Sequence, residues 1–394
     1  MRLIYLYILF AILSIVGCAE HKKNNVAPWG DTISSDTTEM ISDKFSLADI
    51  LGNGELIMLT LTGPDTYFDY HGRRMGTQYL MCEKFAHKLG VSLRVEVCKD
   101  TDDMINRLKN GEGDIIVYQM PQTDNRLLYC GYHVDTLKTS WAVDKSNIEL
   151  ADSVNCWYRP SIVKLIKREE SRMYSPQRVQ HRVYSPMLNA SAGIISEYDY
   201  LFRKYAPLAR WDWRLLAAQC YQESTFDPRA YSWAGACGLM QIMPSTAAQV
   251  GLSQSDIYDP EKNMSAAIRY IKMLNAKFQD IRDADERISF ILASYNGGSF
   301  HIRDAMSLAK KYGRNPYKWS DVSEFVLKLS DSRFYMEPIV KHGYMRGTET
   351  VDYVESIRKR WMHYRRQAKG GTGFPGSSGI VSPQKARKKH RFKI

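Results

Sequence analysis

The spacing of apolar positions changes along the chain, and each change marks a segment. An apolar run over residues 3–16, interrupted only by Ser14, follows Arg2. It falls short of the ~20 residues needed to span a bilayer but suits the core of a signal peptide, so 1–18 reads as an export signal. Residues 19–46 are rich in Asn, Ser, Thr and Asp with no apolar period. They predict a flexible tether with a mean reach of ~25–30 Å. From 47 to 158 the period alternates between strand and helix. Residues 55–61 are a buried strand candidate, and 76–89 carry helical spacing through Tyr79, Leu80, Cys82, Phe85, Ala86 and Leu89. Residues 91–98 alternate, with Leu93, Val95 and Val97 on one face; 102–109 form a helix stopped at Asn110-Gly111; 114–118 form a further strand. Alternating strands and helices predict a small α/β domain with a mainly parallel sheet.

Residues 159–194 are rich in Arg, Lys and Ser and repeat Tyr174-Ser175-Pro176 as Tyr184-Ser185-Pro186. They read as a linker with one short helix over 162–170. Helical spacing then dominates 195–366, over 197–208, 212–224, 246–250, 264–278, 286–295, 302–312, 321–329 and 349–364. Asp212 is placed to cap the second of these, and an irregular β element is expected around 235–243. The fold class is therefore α+β and multidomain: a small α/β domain, then a mainly α domain.

Charge alters this picture only at the end. The net charge is +11, but the tail 367–394 holds seven Lys and Arg and no acid, leaving +4 elsewhere. The tail is suited to anionic surfaces. No zinc-finger spacing or nucleic-acid motif accompanies it, so nucleic acid is not an expected partner.

The candidate chemistry lies in helix 212–224. Leu216, Cys220 and Glu223 fall at i, i+4 and i+7 and share a face. A Glu closing an apolar stripe has its charged form disfavoured, which is what a general acid at neutral pH requires. Asp227 precedes Pro228, which pushes its backbone out of the helix and makes it a poor partner for Glu223.

These residues resemble a known family. Glu223-Ser224, the turn Gly238-Leu239-Met240-Gln241 with Pro244, Thr246 and Ala247, then Tyr295-Asn296, then Glu349-Thr350 with Tyr353, are similar in order to the four signatures of family 1 lytic transglycosylases. Their fold is that of goose-type lysozyme. Tyr198-Asp199, Trp211-Asp212-Trp213-Arg214, His301, Asp304-Ala305, Gly343-Tyr344 and Arg346-Gly347 resemble the membrane-bound lytic murein transglycosylase F subgroup. The likeness covers about 195–364, and Phe300 departs from it where the subgroup has a small residue.

The resemblance implies Glu223 as the catalytic residue acting on peptidoglycan glycan strands. It implies substrate contacts from Ser224, Gly238, Gln241, Tyr295 and Asn296, a groove lined by Met240, and a Tyr353 hydroxyl holding Glu223. It implies no metal and no organic cofactor. A hydrolase of the goose-lysozyme type and a non-catalytic wall-binding lipoprotein are the alternatives.

Two further likenesses concern the N-terminal half. Ile15-Val16-Gly17-Cys18 resembles a bacterial lipobox, which implies a lipid anchor at Cys18; the alternative is an ordinary secretory signal. Ala19-Glu20 then favours the outer over the inner membrane; a periplasmic facing and wall-synthesis or division partners are expected from the family resemblance, and the leaflet is not readable from these residues. Gly54-Glu55-Leu56, Tyr67, Phe85-Ala86, Leu89-Gly90-Val91, Leu108, Gly113-Asp114 and Arg126 resemble lobe 1 of the family 3 extracellular solute-binding fold. Residues 140–157 look like its returning strand and helix, so the second lobe is missing. Arg126, which grips a ligand carboxylate in that family, is then either a surviving ligand contact or a relic in a docking module. Cys82, Cys98, Cys130, Cys156, Cys220 and Cys237 are either free thiols or disulfides, with 15 possible pairings; Cys220 with Cys237 is the first pair to test.

Overall fold

The structure is a computed structural model that describes residues 46–134, 137, 139–174 and 187–368. The export signal, Cys18, the tether, linker residues 175–186 and the basic tail from 369 lie outside the described residues.

The first half is a sheet with helices on both faces. Its elements are α1 (Leu47–Asn53), β1 (Glu55–Thr60), β2 (Phe68–Tyr70), β3 (Arg73–Met75), α2 (Thr77–Leu89), β4 (Ser92–Val97), α3 (Thr101–Lys109), β5 (Ile115–Pro121), β6 (Leu127–Val134), β7 (Thr139–Asp144), α4 (Ile148–Trp157) and α5 (Pro160–Tyr174). The period-2 alternation sorts the core. Leu56, Met58, Ile115, Val117, Trp141 and Val143 pack on one face with Phe85, Leu150 and Ile166. Leu59, Ile116 and Ala142 pack on the other with Met104, Ile105 and Leu108 of α3.

The strand order is β4-β1-β5-β7-β6. β1 pairs parallel with β4 and β5, whereas β7 pairs antiparallel with both β5 and β6. The sheet is thus mixed rather than mainly parallel. The reason is the short β6–β7 connection, which permits only an antiparallel pair. β6 and the β2–β3 ribbon carry too little periodicity to be read from sequence.

The expected linker helix is longer and docked. In α5, Ile166 is fully buried, and Glu170 accepts a hydrogen bond from Thr77 Oγ1 at 2.8 Å. Its Arg- and Lys-rich composition conceals a stripe of Ile162, Val163, Ile166 and Met173 against the α/β core.

The second half is helical: α6 (Asp199–Tyr205), a 3-10 turn (Ala206–Ala209), α7 (Trp213–Ser224), α8 (Pro244–Gln249), a 3-10 turn (Gln254–Asp256), α9 (Pro260–Lys277), α10 (Ala284–Gly297), α11 (Ser299–Lys311), α12 (Trp319–Lys328), α13 (Ser332–Tyr335) and α14 (Gly347–Gln367). The irregular β element consists of isolated bridges from Cys237 to Tyr231 and Ile242. The core gathers around α7, with α14 packed along it.

The two halves meet at a defined place. In open α/β sheets, ligands bind beyond the carboxyl ends of the strands. Here that end of β1 is covered by the chain between α13 and α14. Tyr344 is buried with its ring 4.9 Å from Phe68 and 5.6 Å from Tyr335. Gly343 has φ +68, and a Cβ there would stand 2.2 Å from Thr62 Oγ1. Arg126 is held by its own neighbour, Asp124, with Nε to Oδ1 at 2.8 Å.

Gly343→Ala should therefore loosen this docking, because it adds a clash to a left-handed backbone. A loss of ~1–3 kcal/mol is expected, seen as faster limited proteolysis between 330 and 346. Unchanged cleavage would mean that the Thr62 contact does not hold the halves together.

Candidate active site

The helix carrying Glu223 is enclosed by the helical core. Leu215, Leu216, Ala217, Ala218, Gln219 and Cys220 are all fully buried. Asp212 caps its start, the carboxylate accepting from the Arg214 N–H. Its end is abrupt. Thr225 and Phe226 both take positive φ, +55 and +68, a conformation costing ~1–2 kcal/mol for each such residue. Phe226 offsets part of this by packing edge-on against Tyr221, centroids 5.5 Å apart. The chain therefore leaves the helix straight after Ser224, and Glu223 stands on the last turn. Asp227 is not its partner; Asp227 Oδ1 accepts from Arg229 N at 2.8 Å.

Glu223 lines a cleft of about 970 Å³ together with Gln241, Tyr295, Asn296 and Tyr353. The Tyr353 hydroxyl donates to Glu223 Oε1 and accepts from Gln219 Nε2 at 3.2 Å. Burial pushes the Glu223 carboxyl up to about 8, against the Tyr353 hydrogen bond, which favours the carboxylate. Burial, with the Glu223 charge behind it, also holds the Tyr295 and Tyr353 phenols well above their ordinary value. At neutral pH the acid is protonated beside two neutral phenols.

The turn opposite is fixed from behind. Asn263 is fully buried on α9. Its Oδ1 accepts from Met240 N at 2.8 Å, and its Nδ2 donates to the carbonyls of Cys237 and Ile257 at 3.1 and 2.7 Å. Tyr295 Oη donates to the Met240 carbonyl at 2.8 Å. Gln241, at φ +48, reaches the cleft while its Nε2 donates to the carbonyls of Gly238 and Ala230 at 2.9 and 3.1 Å. Thr350 Oγ1 donates to Asn296 Oδ1 at 2.7 Å, which sets the amide and leaves its nitrogen for a ligand acceptor.

Three expected substrate contacts fall elsewhere. The Met240 side chain is fully buried, so it belongs to the core and not to the groove. The Ser224 hydroxyl is buried and donates to the Leu239 carbonyl at 2.7 Å, tying the acid's helix to the turn. Gly238 is needed by the turn itself: a Cβ there would lie 2.5 Å from Asn263 Nδ2 and from the Ile257 carbonyl. Each reaches the site through the backbone it holds.

All six described cysteines are free thiols. Cys220 donates to the Leu239 carbonyl at 3.5 Å, and Cys237 accepts from Tyr258 Oη at 3.6 Å. Among the described residues no cluster of three or more His, Cys, Asp or Glu has the geometry to hold a metal ion, and no helix is long and apolar enough to cross a membrane.

Sequence reasoning missed Gln219 and Asn263, quoted Thr350 within a motif without a role, and missed Tyr70, His71 and Trp233, which line the cleft. Asn263 had a readable signal: a polar residue in line with Ala267 and Ile271 at i+4 and i+8. The others depend on contacts between distant segments.

An acid raised by burial and gripped by a phenol thus stands on a polar cleft of the helical domain, a site suited to general acid catalysis. Residues 200–318 match the family described as "Transglycosylase SLT domain". Over 79% of its length the chain is similar to proteins named membrane-bound lytic murein transglycosylase F. That of Salmonella arizonae is 29% identical over 417 residues, 80% of its length, and that of Desulfosudis oleivorans is 26% identical over 414 residues, 90% of its length. Among solved structures, the arginine-bound form of domain 1 from TmArgBP is 21% identical (TM-score 0.25), covering 30% of this chain and 97% of that one. The soluble lytic transglycosylase SLT70 from Escherichia coli is 25% identical (TM-score 0.32), covering 43% of this chain and 24% of that one. The chain thus carries a transglycosylase SLT domain behind a small α/β domain.

Tyr353→Phe removes a hydrogen bond that favours the Glu223 carboxylate, so the acid's pKa should rise further. The rate on glycan should fall ~10–100-fold, the worth of a hydrogen bond to a charged group. The alkaline limb of the pH–rate profile should move upward; a downward shift would contradict the assignment.

Burial of Glu223 also carries a stability cost with a definite sign. Folded, the group keeps its proton until about pH 8; unfolded, it loses it near 4.5. The folded state binds the extra proton between these values, so stability falls as pH rises through that window. Glu223→Gln should be more stable than the parent at pH 8 by about 4 kcal/mol, with the difference gone near pH 4.5 in thermal melts. An equal gain at both pH values would assign the effect to packing.

Proposed function

We propose that the protein is a peptidoglycan lytic transglycosylase that cleaves the β-1,4 bond between N-acetylmuramic acid and N-acetylglucosamine without water. The observation that carries this reading is Glu223 gripped by Tyr353 on a cleft lined by polar side chains, where burial favours its protonated form. The O–H of Glu223 donates to the glycosidic oxygen as the C1–O bond breaks. The muramoyl C6 hydroxyl attacks C1, and its proton passes to the Glu223 carboxylate. The acid is regenerated, one fragment gains a free 4-hydroxyl, and the other ends in 1,6-anhydromuramic acid. One residue serves as acid and then base, so no second carboxylate is required. Among the described residues no hydrogen bond joins Glu223 to Asp69, Glu349 or Asp352, the other carboxylates on the cleft. Gln241, Asn296 and Tyr295 position sugar groups, while Ser224, Gly238 and Met240 hold the turn that presents Gln241.

In this reading the enzyme works in the cell envelope, anchored to the outer membrane by lipid on Cys18 and facing the periplasm. The α/β half is a docking module for the catalytic half, and wall-synthesis or division proteins are its possible partners.

The test is a muropeptide digest with the chain lacking its first 18 residues. Products should carry anhydro ends, one water lighter than reducing ends. Glu223→Gln should fold normally and lose activity by at least the ~10²–10⁴-fold that general acid–base catalysis supplies. Reducing ends would instead establish a lysozyme-type hydrolase, and retained activity in the variant would remove Glu223 from the mechanism.

A further inference from the structure

The wall of the cleft beyond Asn296 holds a group of side chains that the mechanism does not use. Phe300, the residue that departs from the family pattern, lies in the first turn of α11 and lines the cleft with 60% of its surface exposed. Single exposed apolar side chains are ordinary. This one is set among polar groups. Its ring stacks on His342 with centroids 4.7 Å apart and planes at 29°, and the Lys277 ammonium stands over it at 4.8 Å. The next turn of α11 fixes the arrangement. Phe300 and Asp304 lie at i and i+4 and share a face. The buried Asp304 carboxylate accepts from the backbone N–H groups of Lys341 and His342 at 3.1 and 2.7 Å, which pins that segment beside Phe300.

The charge of this wall is one-sided. Lys277 and Lys341 are both exposed. Lys277 Nζ donates to Ser299 Oγ at 2.9 Å, and among the described residues neither lysine pairs with a carboxylate. α11 starts at Gly298 without a side-chain cap, so the N–H groups of its first turn add partial positive charge. His301 lines the cleft too, and its buried Nδ1 has no hydrogen-bond partner among the described residues. The carboxylates of Asp69, Glu349 and Asp352 belong to β2 and α14, and Glu349 is engaged by Tyr70 and His71. An aromatic ring beside unpaired ammonium groups fits a ligand that is apolar and anionic together. A bare sugar fits less well: stacking needs an open ring face, and here His342 takes one while Lys277 stands over the ring.

We propose that Phe300, Lys277 and Lys341 form a subsite for the anionic peptide stem carried by N-acetylmuramic acid, so that the enzyme prefers glycan strands that bear stems. The proposal deepens the transglycosylase reading above and rests on it. The stem offers the matching chemistry: free carboxylates for the two ammonium groups and alanine methyls for the Phe300 ring. Phe300 follows Asn296 by four residues through Gly297 and Gly298, and all of these line the cleft. The subsite is therefore continuous with the amide set to hold sugar. Exposed ion pairs are weak one at a time, so recognition depends on both cations and the ring acting together.

The experiment uses the chain without its first 18 residues on two substrates: uncross-linked peptidoglycan strands with their stems, and the same strands stripped of stems by an amidase. The parent should favour stem-bearing strands about fivefold or more in kcat/KM, which two exposed ion pairs can supply, and salt should reduce the preference. Lys277→Gln with Lys341→Gln should remove most of the preference by raising KM on stem-bearing strands. Phe300→Ala should weaken it, and Lys277→Arg with Lys341→Arg should keep it. No preference in the parent, or one that Lys277→Gln with Lys341→Gln leaves intact, would overturn the subsite, while anhydro ends would leave the transglycosylase reading standing. Equal losses on both substrates would make these residues structural or sugar-binding and would also overturn it. If a variant misfolds, the parent's preference and its salt dependence still decide the matter. Reducing ends would remove the transglycosylase reading, with the stem preference still deciding the subsite. No cleavage of either substrate would remove both.

Discussion

A carboxylic acid that is to deliver its proton to a sugar oxygen at neutral pH, the role we propose for Glu223, has first to be kept from losing it to water. Most of the catalytic half follows from that constraint. Glu223 is raised by burial, and burial on a helix requires that the helix itself be enclosed. Hence α7 is lined by small and aliphatic residues, and α14 lies along it to supply Tyr353. A helix continuing past Ser224 would cover the acid. The chain instead accepts two consecutive left-handed residues and recovers part of their cost through Phe226.

The same enclosure explains why several side chains near the acid work indirectly. Space beside a buried carboxyl is scarce, so the Gly238–Gln241 turn is held from behind by Asn263, Tyr295 and Ser224. Asn263 and Tyr295 satisfy the Met240 N–H and carbonyl, and Ser224 joins Cys220 on the Leu239 carbonyl. What remains toward the cleft is a short set of polar groups on rigid supports. Precision comes from the supports: the Asn296 amide is oriented by Thr350, and the Tyr353 hydroxyl by Gln219.

The α/β half meets the catalytic half at one end of its sheet. The carboxyl end of β1, where such sheets take ligands, is occupied by the 335–344 segment of the catalytic half. Arg126 is turned to Asp124. With its own crevice covered, the sheet serves to carry the β2–β3 ribbon to Glu349 and Trp233.

The sequence by itself determined whatever depends on neighbours along the chain. Alternation set β4, short apolar runs set β1 and β5, helical spacing set α2 and α7, and Asp212 set the start of the acid's helix. Glu223 was legible because an acid at the end of an apolar stripe is anomalous locally, and Gln241, Tyr295, Asn296 and Tyr353 because their motifs are. Only the tertiary structure decided the rest. The place of β7 between β5 and β6 is a choice among strand pairings that no local pattern records. The turning inward of Ser224 and Met240 depends on which partners lie beside them: a carbonyl at Leu239, and the core packed around α7. The docking of α5 and the meeting of His71 with Glu349, 278 residues apart, depend on surfaces that exist only once both halves have folded. Periodicity reports the face a residue shares with its near neighbours; it carries no information about what that face will meet.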